Sequence, residues 1–264
     1  MCELFCWGSS KKESDADSEL NSLENNSGSV LGINDFYCSD NELKDVDFSK
    51  LGSLSEIGRY DYKFSCMFLC AIDCAVGKTS ILNMAKNKNF KEEYTGTIGF
   101  DYTSYYFKST NNNLTIILQT WDTTSKKIYQ SVVEPISSKK NAFIFVYDIT
   151  NKKSLDDLVI SINNRKKTCK EKNDNSLFFL LGNKLDLADI KRQVTIEDAQ
   201  KLAEENKIIF LGECSAKNNT YMPVAENTCY KKEELQEGNC HDGVTGIFRD
   251  ILYNIVNKQK SQGE

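Results

Sequence analysis

No stretch of this 264-residue chain approaches the roughly 20 consecutive apolar residues that span a bilayer, so no membrane-crossing helix is expected. No basic segment leads into a long apolar one near its start, and no secretory leader is expected either. Its ten cysteines are therefore read as thiols of a reducing, intracellular protein, not as a disulfide scaffold. Histidine is nearly absent. The single His241 lies near Cys229 and Cys240 without an obvious fourth ligand, which argues against a zinc site. Interleaved basic and aromatic residues are missing too, and residues 59–264 carry a net charge of only +3, so nucleic acid is not the expected partner.

What is present is unevenly charged. Residues 1–58 hold twelve acids against Lys11, Lys12, Lys44 and Lys50, a net charge of −8. Their centre, ESDADSELNSLENNSGS, has no sustained period and too little apolar surface to offset the entropy of ordering, so a mostly disordered acidic extension is expected. The remainder has enough apolar residues for one sizeable core.

Beyond residue 59 the apolar runs are short and regularly spaced. FSCMFLCA (64–71) reads as a buried strand and leads into a loop and a helix from Ser80 to Asn87. FDYTSYYFKS and LTIILQTW read as a hairpin joined across Thr110–Asn113. AFIFVYDI (142–149) is a second buried strand. Leu155, Leu158, Val159 and Ile162 follow at helical spacing, with Ser154 as N-cap. SLFFLLG (176–182) precedes a helix opened by Thr195 with Asp198 three residues on, close to a capping box. IIFLGE (208–213) and a last amphipathic helix through Phe248, Ile251, Leu252 and Ile255 complete the series. Strands alternating with helices, plus one hairpin, predict an α/β fold with a doubly wound, mostly parallel sheet. The long polar stretch at about 219–242 exceeds an ordinary connection and is expected to be a surface insertion.

The chemistry sits at strand ends. After the first strand, Gly77-Lys78-Thr79 closes a phosphate-binding loop in the required strand–loop–helix context. Asn183-Lys184-Leu185-Asp186 follows another strand. A carboxylate there accepts both N1–H and the exocyclic amine of guanine, a donor pair adenine does not present, while Asn183 braces the loop and the Lys184 stem covers the base. Ser215-Ala216-Lys217 follows the next strand and is expected to offer backbone N–H to the guanine O6. Thr97-Ile98-Gly99 places a hydroxyl on a loop that can ligate Mg²⁺ when a γ-phosphate is present, and Trp121-Asp122-Thr123 places a carboxylate beside Thr79.

Together these elements resemble the Ras superfamily of small GTPases and, within it, the Rab family. The likeness covers roughly residues 60–257, with YDY, VGKTS, TIGFDY, LQTWDT, VYDITN, GNKLDL and ECSAK in family order. It implies a P-loop G domain over residues 59–258, a six-stranded sheet with flanking helices and a short tail at 259–264. Asp73, Cys74, Ala75, Val76, Gly77, Lys78, Thr79, Ser80 and Thr97 are then the phosphate-binding residues. Phe90, Asn183, Lys184, Asp186, Ser215, Ala216 and Lys217 hold guanine, and Thr79, Thr97 and, through water, Asp122 hold Mg²⁺. The implied function is a GTP/GDP switch in vesicle trafficking that recruits effector and regulatory proteins through its switch regions.

Departures from the family pattern bear on catalysis. Ser125 stands for the glycine whose N–H meets the γ-phosphate, and Lys126 for the glutamine that orients the attacking water. A charged lysine only donates, so slow or impaired hydrolysis is expected. The alternative is a pseudo-GTPase scaffold that binds without turnover, whereas a P-loop ATPase or nucleotide kinase is disfavoured by Asp186. Ile72 replaces the glycine that opens the phosphate loop and is expected to narrow its approach to phosphate. Val133-Glu134-Pro135-Ile136 stands where Rab proteins have a helical switch II, and a proline inside a helix is costly, so familiar Rab partners are not expected to bind there. The sequence ends NKQKSQGE with Cys240 as its last cysteine, so C-terminal prenylation is not expected. Peripheral attachment to an intracellular membrane would use acylation of Cys2 and Cys6, or a partner, in an otherwise cytoplasmic protein.

Overall fold

The computed structural model describes residues 60–87, 89–92, 96–108, 115–228 and 243–263. The acidic extension, the Thr110–Asn113 connection, Cys229, Cys240 and His241 lie outside them. Seven strands form one sheet: β1 (Tyr62–Leu69), β2 (Phe100–Lys108), β3 (Thr115–Thr123), β4 (Ala142–Asp148), β5 (Leu177–Asn183), β6 (Ile209–Ser215) and β7 (Thr220–Pro223). Their order is β2-β3-β1-β4-β5-β6-β7. The β2–β3 and β6–β7 pairs are antiparallel and every other pair is parallel.

One strand more than expected is present, because β7 is drawn from the stretch read as an insertion. TYMP is too short to register as a period-2 run, and it forms by pairing Tyr221 against Cys214 at the sheet edge, where Pro223 needs no ladder donor. The helices are α1 (Lys78–Asn87), α2 (Gln130–Ile136), α3 (Lys152–Asp156), α4 (Leu158–Glu171), α5 (Ala188–Lys191), α6 (Ile196–Glu205) and α7 (Thr245–Gly263). Thus α7 runs on through most of the stretch expected to be a tail.

Helices cover both sheet faces. Alternation along β1 sends Phe64, Cys66 and Phe68 to one core with Ile81 of α1 and Phe248 and Ile251 of α7. Met67 goes to the other core, with Leu158 and Ile162 of α4 and Leu202 of α6. All seven residues of β4 are buried, as its unbroken apolar run requires of a central parallel strand. Cys66, Cys70 and Cys74 recur every four residues at the end of β1 and in the loop after it: Cys66 is a core residue whose thiol pKa is pushed up by burial, while Cys70 and Cys74 are half-buried at the core's edge.

Local signals were mixed in their outcome. Thr195 and Asp198 form the capping box of α6. Ser154 is not a cap: Asn151 holds that position, and Ser154 lies inside α3, where its hydroxyl accepts from the Asp148 N–H (2.9 Å) and donates to the Asn151 carbonyl (2.7 Å). Pro135 lies next to last in α2, whose end is closed by Ser137 N–H on the Glu134 carbonyl. The proline costs this short helix one backbone bond, and Arg165 of α4 packs at its end, pairing with Glu134 (3.2 Å) and donating to the Ser137 hydroxyl.

Candidate functional site

The order β3-β1-β4 makes β1 the strand at which the chain reverses direction across the sheet, and the crevice beyond its carboxyl end is where open α/β sheets bind ligands. A cleft of about 710 Å³ opens there, floored by the loop between β1 and α1 and walled by the loops after β5 and β6. Asp73 through Ser80, Phe90, Thr97, Ser125, Lys126, Asn183, Lys184, Asp186, Ala216 and Lys217 all line it. Of the expected site residues, only Asp122 and Ser215 stand behind the wall, and each is bonded to a residue that does line it.

The floor is a turn that its sequence can make. Asp73 adopts φ +57°, tolerated because a short polar side chain visits the left-handed region at modest cost. Gly77 has φ +87°, and a Cβ there would lie 2.6 Å from Asn183 Nδ2. That nitrogen is already committed to the Val76 carbonyl (2.9 Å) and cannot withdraw freely. Gly77→Ala is therefore expected to cost about 2 kcal/mol through left-handed strain and to disturb the Asn183 contact, read as a lower thermal midpoint with faster nucleotide release. An unchanged midpoint would mean the loop rearranges at no cost.

Ile72 does not do what the sequence suggested. It is absent from the cleft lining and instead faces a separate groove between α2 and α4, beside Val133 and Ile160, where it is 39% exposed. Its side chain therefore does not border the cleft floored by the loop between β1 and α1. The Lys78 ammonium is almost fully buried and donates to the Cys70 thiol at 2.9 Å. Sequence reading missed that contact; the spacing of eight residues across a strand and a loop carries no periodic signal.

Asn183 ties three loops together. Besides the Val76 carbonyl, it accepts from the Ala216 N–H at 3.2 Å and the Cys214 thiol at 3.6 Å, and it is 2% exposed. Of the backbone N–H groups in the Ser215-Ala216-Lys217 run expected to face guanine, that of Ala216 is thus committed to Asn183. Ser215 donates to Asp186 Oδ1 (2.6 Å) and accepts from the Asn218 N–H, which fixes the carboxylate at the cleft wall. Lys184, at φ +71°, pairs with the buried Asp148 at 2.6 Å, which holds its stem along the cleft. Asp148 stands in the VYDITN run, so this partner was legible in principle. Lys217 meets Glu92 across the rim at 3.2 Å, but both are well exposed and the pair adds little stability.

At the other end, three oxygen-bearing side chains from three segments converge. The Thr79 hydroxyl bonds Asp122 Oδ2 and lies 2.9 Å from the Thr97 hydroxyl, which lies 3.3 Å from the same oxygen. Asp122 Oδ1 is buried without a hydrogen-bond partner. Burial raises the Asp122 pKa, and the Lys78 charge and the two hydroxyls oppose that rise. A hard divalent cation suits this donor set: it would supply the missing partner of Oδ1, directly or through water, and reverse the burial penalty. Nearby, Thr124 N–H reaches the Gly99 carbonyl (3.0 Å) and Asp73 N–H the Ser125 carbonyl (2.9 Å), so the segments after β1 and β3 and before β2 meet at the cleft.

A Ras family sequence model matches residues 69–232. The chain belongs to the Ras family of small GTPases. Its curated relatives make it Rab-like: it is 33% identical over 172 residues to Ras-related protein Rab-1 of Theileria parva, 65% of this chain and 74% of that protein, with the same figures for Rab-1 of Theileria annulata. It is 34% identical over 191 residues to human Ras-related protein Rab-44, which covers 71% of this chain but spans only 17% of that larger protein. Guanine-nucleotide binding, with Mg²⁺ and with effectors, is the general property of this GTPase family. Among the described residues, no helix is long and apolar enough to cross a membrane.

Proposed function

We propose that this Rab-like GTPase is a guanine-nucleotide switch of vesicle trafficking whose turnover is slowed by Lys126. The observation that carries the nucleotide site is Asn183, since one buried side chain couples the phosphate loop to both loops of the guanine wall. In this reading Gly77, Lys78 and the start of α1 take the phosphates through backbone N–H groups and the ammonium, with Asp73 to Val76 and Ser80 around them. Lys78 would exchange the Cys70 thiol for phosphate oxygens. Asp186 takes the guanine edge, with Phe90, Lys184, Lys217, Ala216 and Ser215 around it. Thr79, Thr97 and, through water, Asp122 would hold Mg²⁺, which would supply positive charge against the β- and γ-phosphates.

Lys126 is exposed on the cleft rim, and its backbone N–H is held by the Thr124 hydroxyl (3.2 Å). Its ammonium has no lone pair with which to orient a water. Ser125 retains the backbone N–H that meets a γ-phosphate. Intrinsic hydrolysis in Ras relatives is of order 10⁻⁴ s⁻¹ even with glutamine, so the GTP state here would last for hours. Lys126→Gln is expected to raise the single-turnover rate roughly tenfold; no change would show that Lys126 does not limit it. Acylation of Cys2 and Cys6, or a partner, would bring the switch to its membrane.

The deciding experiment is the identity of the nucleotide carried by the full chain purified in Mg²⁺ and released by denaturation. GTP would support a slow switch, and GDP would show turnover despite Lys126. An adenine nucleotide or an empty cleft would overturn the assignment. GTP that persists when Lys126 is replaced by glutamine would favour the scaffold that binds without turnover.

A further inference from the structure

A second, smaller cavity of about 260 Å³ opens away from the nucleotide cleft, where β4 and β5 begin. Lys139, Lys140 and Lys258 line it over an apolar floor of Leu177 and Ile255, and among the described lining residues Asp174 is the one acid. Asp174 is already engaged, accepting from the Lys139 N–H at 3.0 Å and from the Ser176 hydroxyl. The Lys258 ammonium is turned onto the Asn175 carbonyl (2.9 Å). Lys140 stacks over the Trp121 ring at 4.1 Å, and burial, aided by the charge of Lys63, pushes its pKa down to about 8. Among the described residues that line it, three lysines face one carboxylate.

The anion is on the same chain. Asn141 is bonded to Ser65 in both directions, so the cavity lies beside β1, and the acidic extension joins the sheet at the first residues of that strand. From Cys66, which pairs with Ala142, to Tyr62 is about 13 Å along the strand. We propose that residues 39–48 of the extension, SDNELKDVDF, dock on this lysine-rimmed cavity. Asp40, Glu42, Asp45 and Asp47 supply the carboxylates, and Leu43, Val46 and Phe48 supply apolar side chains for the Leu177 and Ile255 floor. The thirteen residues between Phe48 and Tyr62 form a tether short enough for an effective concentration in the millimolar range, so weak individual contacts suffice. Docking would place the extension beside Lys140 and Trp121, and Trp121 packs on Phe100 and Tyr102 of β2. The extension would then reach the strand that follows Thr97.

Zero-length carbodiimide coupling of the full chain, followed by peptide mass spectrometry, tests this. The expected result is that acids of 40–47 couple to Lys139, Lys140 or Lys258 at least tenfold more than to exposed lysines elsewhere, such as Lys153 or Lys201. The yield should fall severalfold in 0.5 M salt, where the screening length is only a few ångströms. Replacing Leu43, Val46 and Phe48 together by serine leaves all four carboxylates able to couple, and should lower the preference severalfold because the apolar contact with the Leu177 and Ile255 floor is lost. Coupling spread over surface lysines according to exposure would overturn the proposal. So would binding of anionic phospholipid vesicles through Lys139 and Lys140 that is equally strong with and without residues 1–58, since the cavity would then serve a lipid surface. Neither result depends on which nucleotide the cleft holds.

Discussion

Replacing Asp186 by alanine is expected to weaken GTP binding by about 10²–10⁴-fold and to abolish discrimination against ATP. Two charge-assisted hydrogen bonds to guanine, each contributing roughly 1.5–3 kcal/mol, disappear together, and the donors of the base are left buried without acceptors. Tertiary structure makes the effect this large: Ser215 fixes one carboxylate oxygen at 2.6 Å, so the group is held in position before the base arrives. In the variant, Ser215 still accepts from the Asn218 N–H, so the loop after β6 should keep its shape. Equilibrium titration with a fluorescent guanine nucleotide, with ATP as competitor, reads both quantities. An affinity within threefold of the parent would end the guanine assignment.

The largest expected stability loss lies outside the cleft. Glu213 is 3% exposed, accepts two bonds from Arg192 at 2.8 and 2.6 Å, and accepts a third from the Tyr147 hydroxyl at 3.1 Å. Arg192→Ala would leave that carboxylate buried with a single neutral donor, at a cost of about 3–5 kcal/mol. For a domain of this size that corresponds to a fall of roughly 10 °C in thermal midpoint. Adding Glu213→Gln to the same variant should recover part of the loss, because no charge is then stranded. A drop of less than about 1 kcal/mol for Arg192→Ala alone would show that water reaches Glu213. Glu213 lies two residues before Ser215 on β6, so destabilising it should also loosen the guanine wall and speed nucleotide release.

Much of this protein was readable from residue order. Unbroken apolar runs required central strands buried on both faces, and β1, β4 and β5 lie side by side in the sheet. Helical spacing of Phe248, Ile251, Leu252 and Ile255 required an amphipathic helix, and those residues of α7 are buried. The phosphate loop, the NKLD run and the SAK run each stood at a strand end, and parallel strands bring such ends to one edge. Their meeting at one cleft follows from the sheet alone.

Only the tertiary structure decided what lay between distant segments or turned on one dihedral angle. Ile72 looked obstructive in the sequence, but it lines the groove between α2 and α4 and not the cleft. The seventh strand exists because β6 offers TYMP a pairing edge; four residues have too little period to announce themselves. The Lys78–Cys70 contact, the Arg192–Glu213 pair and the lysine-rimmed cavity join residues whose spacings repeat with neither helix nor strand. Local sequence determines which backbone a segment prefers and which face it buries. Which side chains then meet depends on how those faces stack, and that is a property of the whole packed sheet.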